Sequence, residues 1–221
     1  MLAAAGGLAA GFAAVAVGAL AAWGAGSLSP SLKAASMTSF ASPWRAVRAL
    51  LGLALGSAAA KDATKAAATA LAVVLLILLL RQVAGYPIRG ERPLLAAGSS
   101  REAYGLTAND PVPLQDLAVM CAAAFAIAWL FAWPYVLPWY DSLGWPLLAL
   151  VAWSELDWLL LARTSALALG YVAATGSALP GGLGWLQTVV REGLAPVVLL
   201  VCLVLLIRAV LPAQAGQAMR S

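Results

Sequence analysis

The chain contains no histidine, and only 10% of its 221 residues are charged. A soluble globular domain carries about 25% charged residues, so that class is excluded and an integral membrane protein is expected. Without histidine the commonest metal ligand and the usual general base are missing; no metal site and no cofactor are expected. There are two cysteines, Cys121 and Cys202, both inside apolar runs. They read as small hydrophobes rather than a disulfide or a metal site. No Lys or Arg precedes Lys33, so the start lacks the positive region of a signal peptide. The sequence shows no internal repeat, no glycine-rich phosphate motif, no heptad pattern and no soluble domain at either end. A formal charge of +4 suits an anionic membrane surface or a phosphate and does not by itself indicate nucleic acid.

What is present is apolar sequence in lengths that cross a bilayer. A hydrocarbon core about 30 Å thick needs roughly 20 apolar residues per helix. The expected spans are Leu2–Trp23, Ala67–Val83, Leu117–Tyr135, Leu143–Leu161, the short Thr164–Ala178, and Ala195–Leu211. The fold class is therefore all-α, a polytopic membrane bundle forming a single integral membrane domain. Ala46–Ala60 is apolar but short and carries Arg48. It reads as an amphipathic or re-entrant segment. The span count is six, or seven if that segment crosses. With six, both chain ends and the polar loop 85–115 lie in the cytoplasm, and the basic residues divide seven inside to six outside. With seven the division becomes ten to three, which the positive-inside rule prefers. Helix length prefers six.

Three polar clusters interrupt the apolar runs. The first is "AWPYVLPWYDSLGWP", Ala132 to Pro146, where Trp and Tyr crowd around Asp141. An interfacial aromatic belt with helix-breaking prolines accounts for most of it, and best for Trp129, Trp133 and Trp145. The alternative is a sugar platform: Trp139 and Tyr140 would offer faces for stacking, and Asp141 a carboxylate for hydroxyls. The second cluster is "SLSPSLKAASMTSFASPWRAVR", with Lys33, Arg45 and Arg48. Arg45 and Arg48 share one helix face. Ser42 is expected as the N-cap, with Pro43 at the first helical position. Cations beside a helix start form a candidate phosphate site; the plainer alternative is a solvated loop. The third is "SELDWLLLART". Glu155 and Asp157 do not face one another on a helix, so a paired acid–base site is not expected. Ser154 is expected to cap a helix beginning there.

"LSPSLKAASMTSFASPWRAVRALLG" and "PYVLPWYDSLGWPLLALVAWSELDWLLLARTSALALGYV" together resemble the C-terminal half of actinobacterial membrane glycosyltransferases that use polyprenyl-phosphate sugars. These are the alpha-1,6-mannosyltransferase-like members of the GT-C superfamily. The resemblance runs from about Trp23 to the last span, and neither motif is a catalytic signature. It implies a multi-pass enzyme of the bacterial plasma membrane, moving a hexose, mannose in the family, from a polyprenyl phosphate to a cell-envelope glycan. Its partners would be membrane lipid, the lipid-linked sugar and the glycan acceptor. It places the Ser27–Arg48 loop and the Trp139–Asp141 corner on one outer face. Family members have more spans and carry their catalytic acid in the first outer loop. Here no acid occurs before Asp62, so no catalytic residue is assigned, and the chain reads as a fragment, a split subunit working with an N-terminal half or partner subunit, or a degenerate relative. A flippase-like unit and a structural subunit without its own catalytic site are the competing readings.

Overall fold

The computed structural model describes residues 14, 17, 18, 21, 22, 37–89, 114–151, 154–172, 185 and 187–211. The chain forms two compact units, Met1–Met37 and Thr38–Ser221. In the first unit the described residues Ala14, Val17, Gly18, Ala21 and Ala22 are helical, and most of the expected span Leu2–Trp23 lies outside the described residues. The second unit is helical throughout its regular elements: α1 (Trp44–Leu55), α2 (Ser57–Arg89), α3 (Leu114–Ala132), a 3-10 turn (Pro138–Leu143), α4 (Gly144–Ala149), α5 (Glu155–Val172), a π-helical turn (Gln187–Leu194) and α6 (Ala195–Val210). Three helical stretches among the described residues are long and apolar enough to cross a membrane: Ser57–Ala84, Leu114–Ala132 and Thr188–Val210.

These three pack through small and branched apolar side chains. Ala123, Ala124, Ala128 and Ala132 of α3 are fully or almost fully buried, beside Leu75 and Leu79 of α2 and Leu206 of α6. Water does not drive helices together inside lipid, so close approach over alanine faces is what gains contact energy. Helix ends in a bilayer also need partners for their last carbonyls. Arg163 Nη2 donates to Leu130 O at 2.9 Å and Trp44 Nε1 to Ala132 O at 2.7 Å, so two other helices close the end of α3. At the opposite end, Gln82 Nε2 lies 3.2 Å from Ala209 O and 3.0 Å from Val210 O, the last carbonyls of α6.

The expected span Leu143–Leu161 is not one helix. The short α4 ends in 3-10-type bonds from Leu150 N to Leu147 O and from Val151 N to Leu148 O. A new helix then starts at Ser154. Its hydroxyl accepts from Leu156 N at 3.2 Å, and Asp157 Oδ2 accepts from Ser154 N at 2.8 Å. This reciprocal pair is a capping box, and it fixes the break where apolar length alone suggested continuity. The described part of Thr164–Ala178 accordingly belongs to α5. The cap at Ser154 agrees with the sequence reading. The expected end of Leu117–Tyr135 also moves, because α3 stops at Ala132 ahead of Pro134.

α1 is the amphipathic segment, and it begins and ends earlier than expected. Pro43 precedes the helix, and Ser42 Oγ accepts from Trp44 N at 3.3 Å. Its 12 residues rise only about 18 Å at 1.5 Å each, which is too short to cross. Arg45, Arg48, Ala49 and Gly52 recur at helical spacing along one side. Val47, Leu50 and Leu53 fall off that side and are exposed. The helix ends at Gly56, whose φ of 80° and ψ of 163° suit glycine alone. That residue turns the chain into α2.

Candidate functional site

Several polar features gather at one end of the bundle. Ser39 N donates to Pro134 O at 3.1 Å, and Trp44 reaches the end of α3. These contacts seat the start of α1 on the aromatic corner. Gly170 of α5 faces Ala195 and Arg191, with Ala41 at the edge of contact, which brings the start of α6 to the same place. The two clusters read from the sequence are thus neighbours.

Between α1 and the first turn of α2 lies an open groove of about 390 Å³. Its walls include Arg45, Arg48, Thr38, Phe40 and Ser57. Two guanidinium groups approach the Phe40 ring: Arg45 Cζ lies 4.2 Å from its centre and Arg191 Cζ 4.6 Å. Both are within cation–π range. Arg45 Nη1 also pairs with Glu192 Oε1 at 3.3 Å. Arg45 and Arg48 are therefore together, as expected, and Lys33 lies outside the described residues. The sequence reading missed Phe40, Arg191 and Glu192. Nothing local links residue 45 to residues 191 and 192; they meet only where the π-helical turn Gln187–Leu194 comes up to Phe40 and Arg45 in the fold.

The aromatic corner is a connected set of rings. Tyr140 is its hub, with ring centres 5.6 Å from Trp129, 6.2 Å from Tyr135 and 6.4 Å from Trp139. Trp129 stacks with Trp133 at 6.3 Å. Trp139 meets Tyr171 edge-on at 4.9 Å, and both are exposed. Tyr171 is a fourth residue that the sequence alone does not point to. Burial, and the neighbouring Tyr135, raise the Tyr140 phenol above its ordinary value, so it stays a neutral donor at physiological pH.

Asp141 departs from the expectation. It is not on the surface of a platform: its side chain is fully buried and forms an ion pair with Arg163, itself 2% exposed. The second carboxylate oxygen lies 2.7 Å from Thr164 Oγ1, whose hydroxyl is also 2.8 Å from Leu160 O. A carboxylate is the stronger acceptor of that one proton. Arg163 has its remaining fork on Leu130 O, with its Cζ 5.6 Å from the Phe131 ring centre. A charge excluded from solvent must be paired, and here each charge has the other as its partner. Asp157 is likewise occupied by the capping box, and Glu155 is exposed at the same helix start. Cys202 is buried, Cys121 is half-buried, and both are free.

Chemically, the groove offers cations, hydroxyls and an aromatic wall to an anion, and the corner offers exposed ring edges and faces. Comparisons of the chain with protein-family models, with curated proteins and with solved structures return no match.

Proposed function

We propose that this membrane protein binds the phosphate of a polyprenyl-linked sugar in the groove formed by Arg45, Arg48 and Phe40. It would act as the lipid-handling part of a membrane glycosyltransferase that moves a hexose, mannose by the resemblance, onto a cell-envelope glycan. The observation that carries the reading is the groove itself. It places two arginines and the hydroxyls of Thr38 and Ser57 around a space of about 390 Å³, within the roughly 300–1,000 Å³ of small-ligand sites. On the other sides of α1, Leu50 and Leu53 are exposed and offer an apolar surface to a lipid tail at the membrane boundary. The ring pair Trp139–Tyr171 supplies a stacking surface for the sugar at the same end of the bundle. In this reading the chain is multi-pass in a bacterial plasma membrane: the apolar stretch Leu2–Trp23, α2, α3 and α6 cross, and α4 and α5 form an interrupted pair, α4 being too short at 6 residues to cross by itself. The groove and the corner face outward. No residue of the chain is assigned as the catalytic acid in this reading.

A flippase-like reading has one observation in its favour. Interrupted helices and buried polar groups mark transport sites, and the break before Ser154 and the Asp141–Arg163 pair are features of that kind. Binding alone does not separate the two readings, whereas an assay of sugar transfer to a glycan acceptor against lipid translocation does.

The direct test is phosphate dependence. In phosphatidylcholine nanodiscs, the chain is expected to bind polyprenyl phosphate and to ignore the matching polyprenol. Arg45→Glu should weaken binding about tenfold or more, because it removes a charge-assisted hydrogen bond and adds repulsion. Equal binding of the two lipids would remove the groove from the account.

A further inference from the structure

We infer that Glu192 is a resident competitor for the groove's phosphate, and that Arg191 is the groove's third cation; this inference rests on the lipid-phosphate reading above. Arg45 and Arg191 both approach the Phe40 ring, Arg45 and Arg48 line the groove with Phe40, and one carboxylate, Glu192, pairs with Arg45 at 3.3 Å. Arg45 and Arg191 share one ring, and like charges held beside the same ring repel one another. Glu192 offsets one of them. The Arg45 and Glu192 side chains are 45% and 40% exposed, and an ion pair wetted to that degree is weak. A phosphate brings up to two negative charges and several acceptor oxygens to the same guanidinium, so it displaces Glu192 from Arg45. The Phe40 ring meanwhile holds Arg45 and Arg191 at the groove, so the cations are already placed when the anion arrives. Arg191 and Glu192 both belong to the π-helical turn Gln187–Leu194, which runs directly into α6. Such turns are rare and recur at functional sites. The exchange at Glu192 therefore takes place at the root of a membrane-crossing helix.

The occupant is a lipid phosphate rather than free phosphate, because α1, the helix that carries Arg45 and Arg48, also exposes Leu50 and Leu53 on its other sides to apolar surroundings. The probe is a short-chain polyprenyl phosphate in phosphatidylcholine nanodiscs, titrated against the full chain, with inorganic phosphate as the competing arm. Glu192→Gln is expected to raise affinity about two- to fivefold, the range set by a weak exposed pair, and Arg191→Ala to lower it by a similar factor. Inorganic phosphate at millimolar concentration should displace the lipid poorly. Unchanged affinity in Glu192→Gln, with the loss in Arg45→Glu intact, overturns the competitor role and leaves the phosphate site standing. Unchanged affinity in both variants removes both. Tight binding of inorganic phosphate would show that the lipid tail contributes nothing and would overturn the lipid assignment.

Discussion

The carboxylate of Asp141 is held against the guanidinium of Arg163, and both side chains are almost wholly out of solvent. Removing either partner leaves the other charge buried and unpaired. Asp141→Asn and Arg163→Met should each cost about 3–5 kcal/mol of stability, read as lost thermal or denaturant resistance in detergent. The double variant Asp141→Leu/Arg163→Met should recover most of that loss, because no stranded charge remains. It should not recover all of it, since Leu130 O loses its donor. Additive losses in the double variant would show that the two residues are not coupled.

Ser154 tests the break between α4 and α5. Its hydroxyl and the Asp157 carboxylate satisfy two helix-start donors. Ser154→Ala should cost about 1 kcal/mol and Ser154→Asp only a few tenths, measured by denaturant unfolding in micelles. Equal losses would mean that the cap contributes nothing.

Those two sites also show what was legible in sequence. Ser154-Glu155-Leu156-Asp157 is a local pattern, so its cap could be read directly. The break it causes was obscured because Leu143–Leu161 is apolar enough to suggest a continuous span. The helix begins one residue later than Ser42–Pro43 implies, with Pro43 at its boundary, since a serine hydroxyl and a proline each fit either side of a helix start. The grouping of Arg45 with Arg48 was legible from helical spacing. The role of Asp141 was not. Its aromatic neighbours suggested an exposed platform, and its burial is decided by Arg163, which reaches it across the corner. Phe40, Arg191, Glu192 and Tyr171 join their sites only through tertiary packing, and no short stretch of sequence carries that information.

Gly56 provides a test of the groove's shape. There is open space where its Cβ would sit, so Gly56→Ala acts through the backbone alone. Its φ of 80° should then cost about 1–3 kcal/mol and move Arg45 away from Ser57, lowering lipid-phosphate affinity as well. Gly52→Ala is the control. That position is helical and open, so the change should be neutral or stabilising by up to about 1 kcal/mol. The same unfolding assay compares the two, and identical behaviour would contradict the assigned turn.

The corner makes a different prediction. Trp139 and Tyr171 present exposed rings, whereas Asp141 is committed elsewhere. Trp139→Ala should lower affinity for a polyprenyl-phosphate sugar about three- to tenfold, in line with an aromatic contact worth roughly 0.5–1.5 kcal/mol. Affinity for the unglycosylated lipid phosphate should not change. Equal effects on both lipids would place Trp139 in a lipid-facing belt instead of at the sugar.

The account stands most directly on where the lipid phosphate sits. A polyprenyl phosphate carrying a photoreactive diazirine in its first isoprene unit can be irradiated with the chain in nanodiscs and the adducts mapped by mass spectrometry. The account predicts adducts concentrated between Thr38 and Ala60, and their loss in Arg45→Glu. Adducts spread along the exposed faces of Ser57–Ala84 and Thr188–Val210, undiminished in Arg45→Glu, would show a lipid solvating the bundle and would contradict the phosphate site.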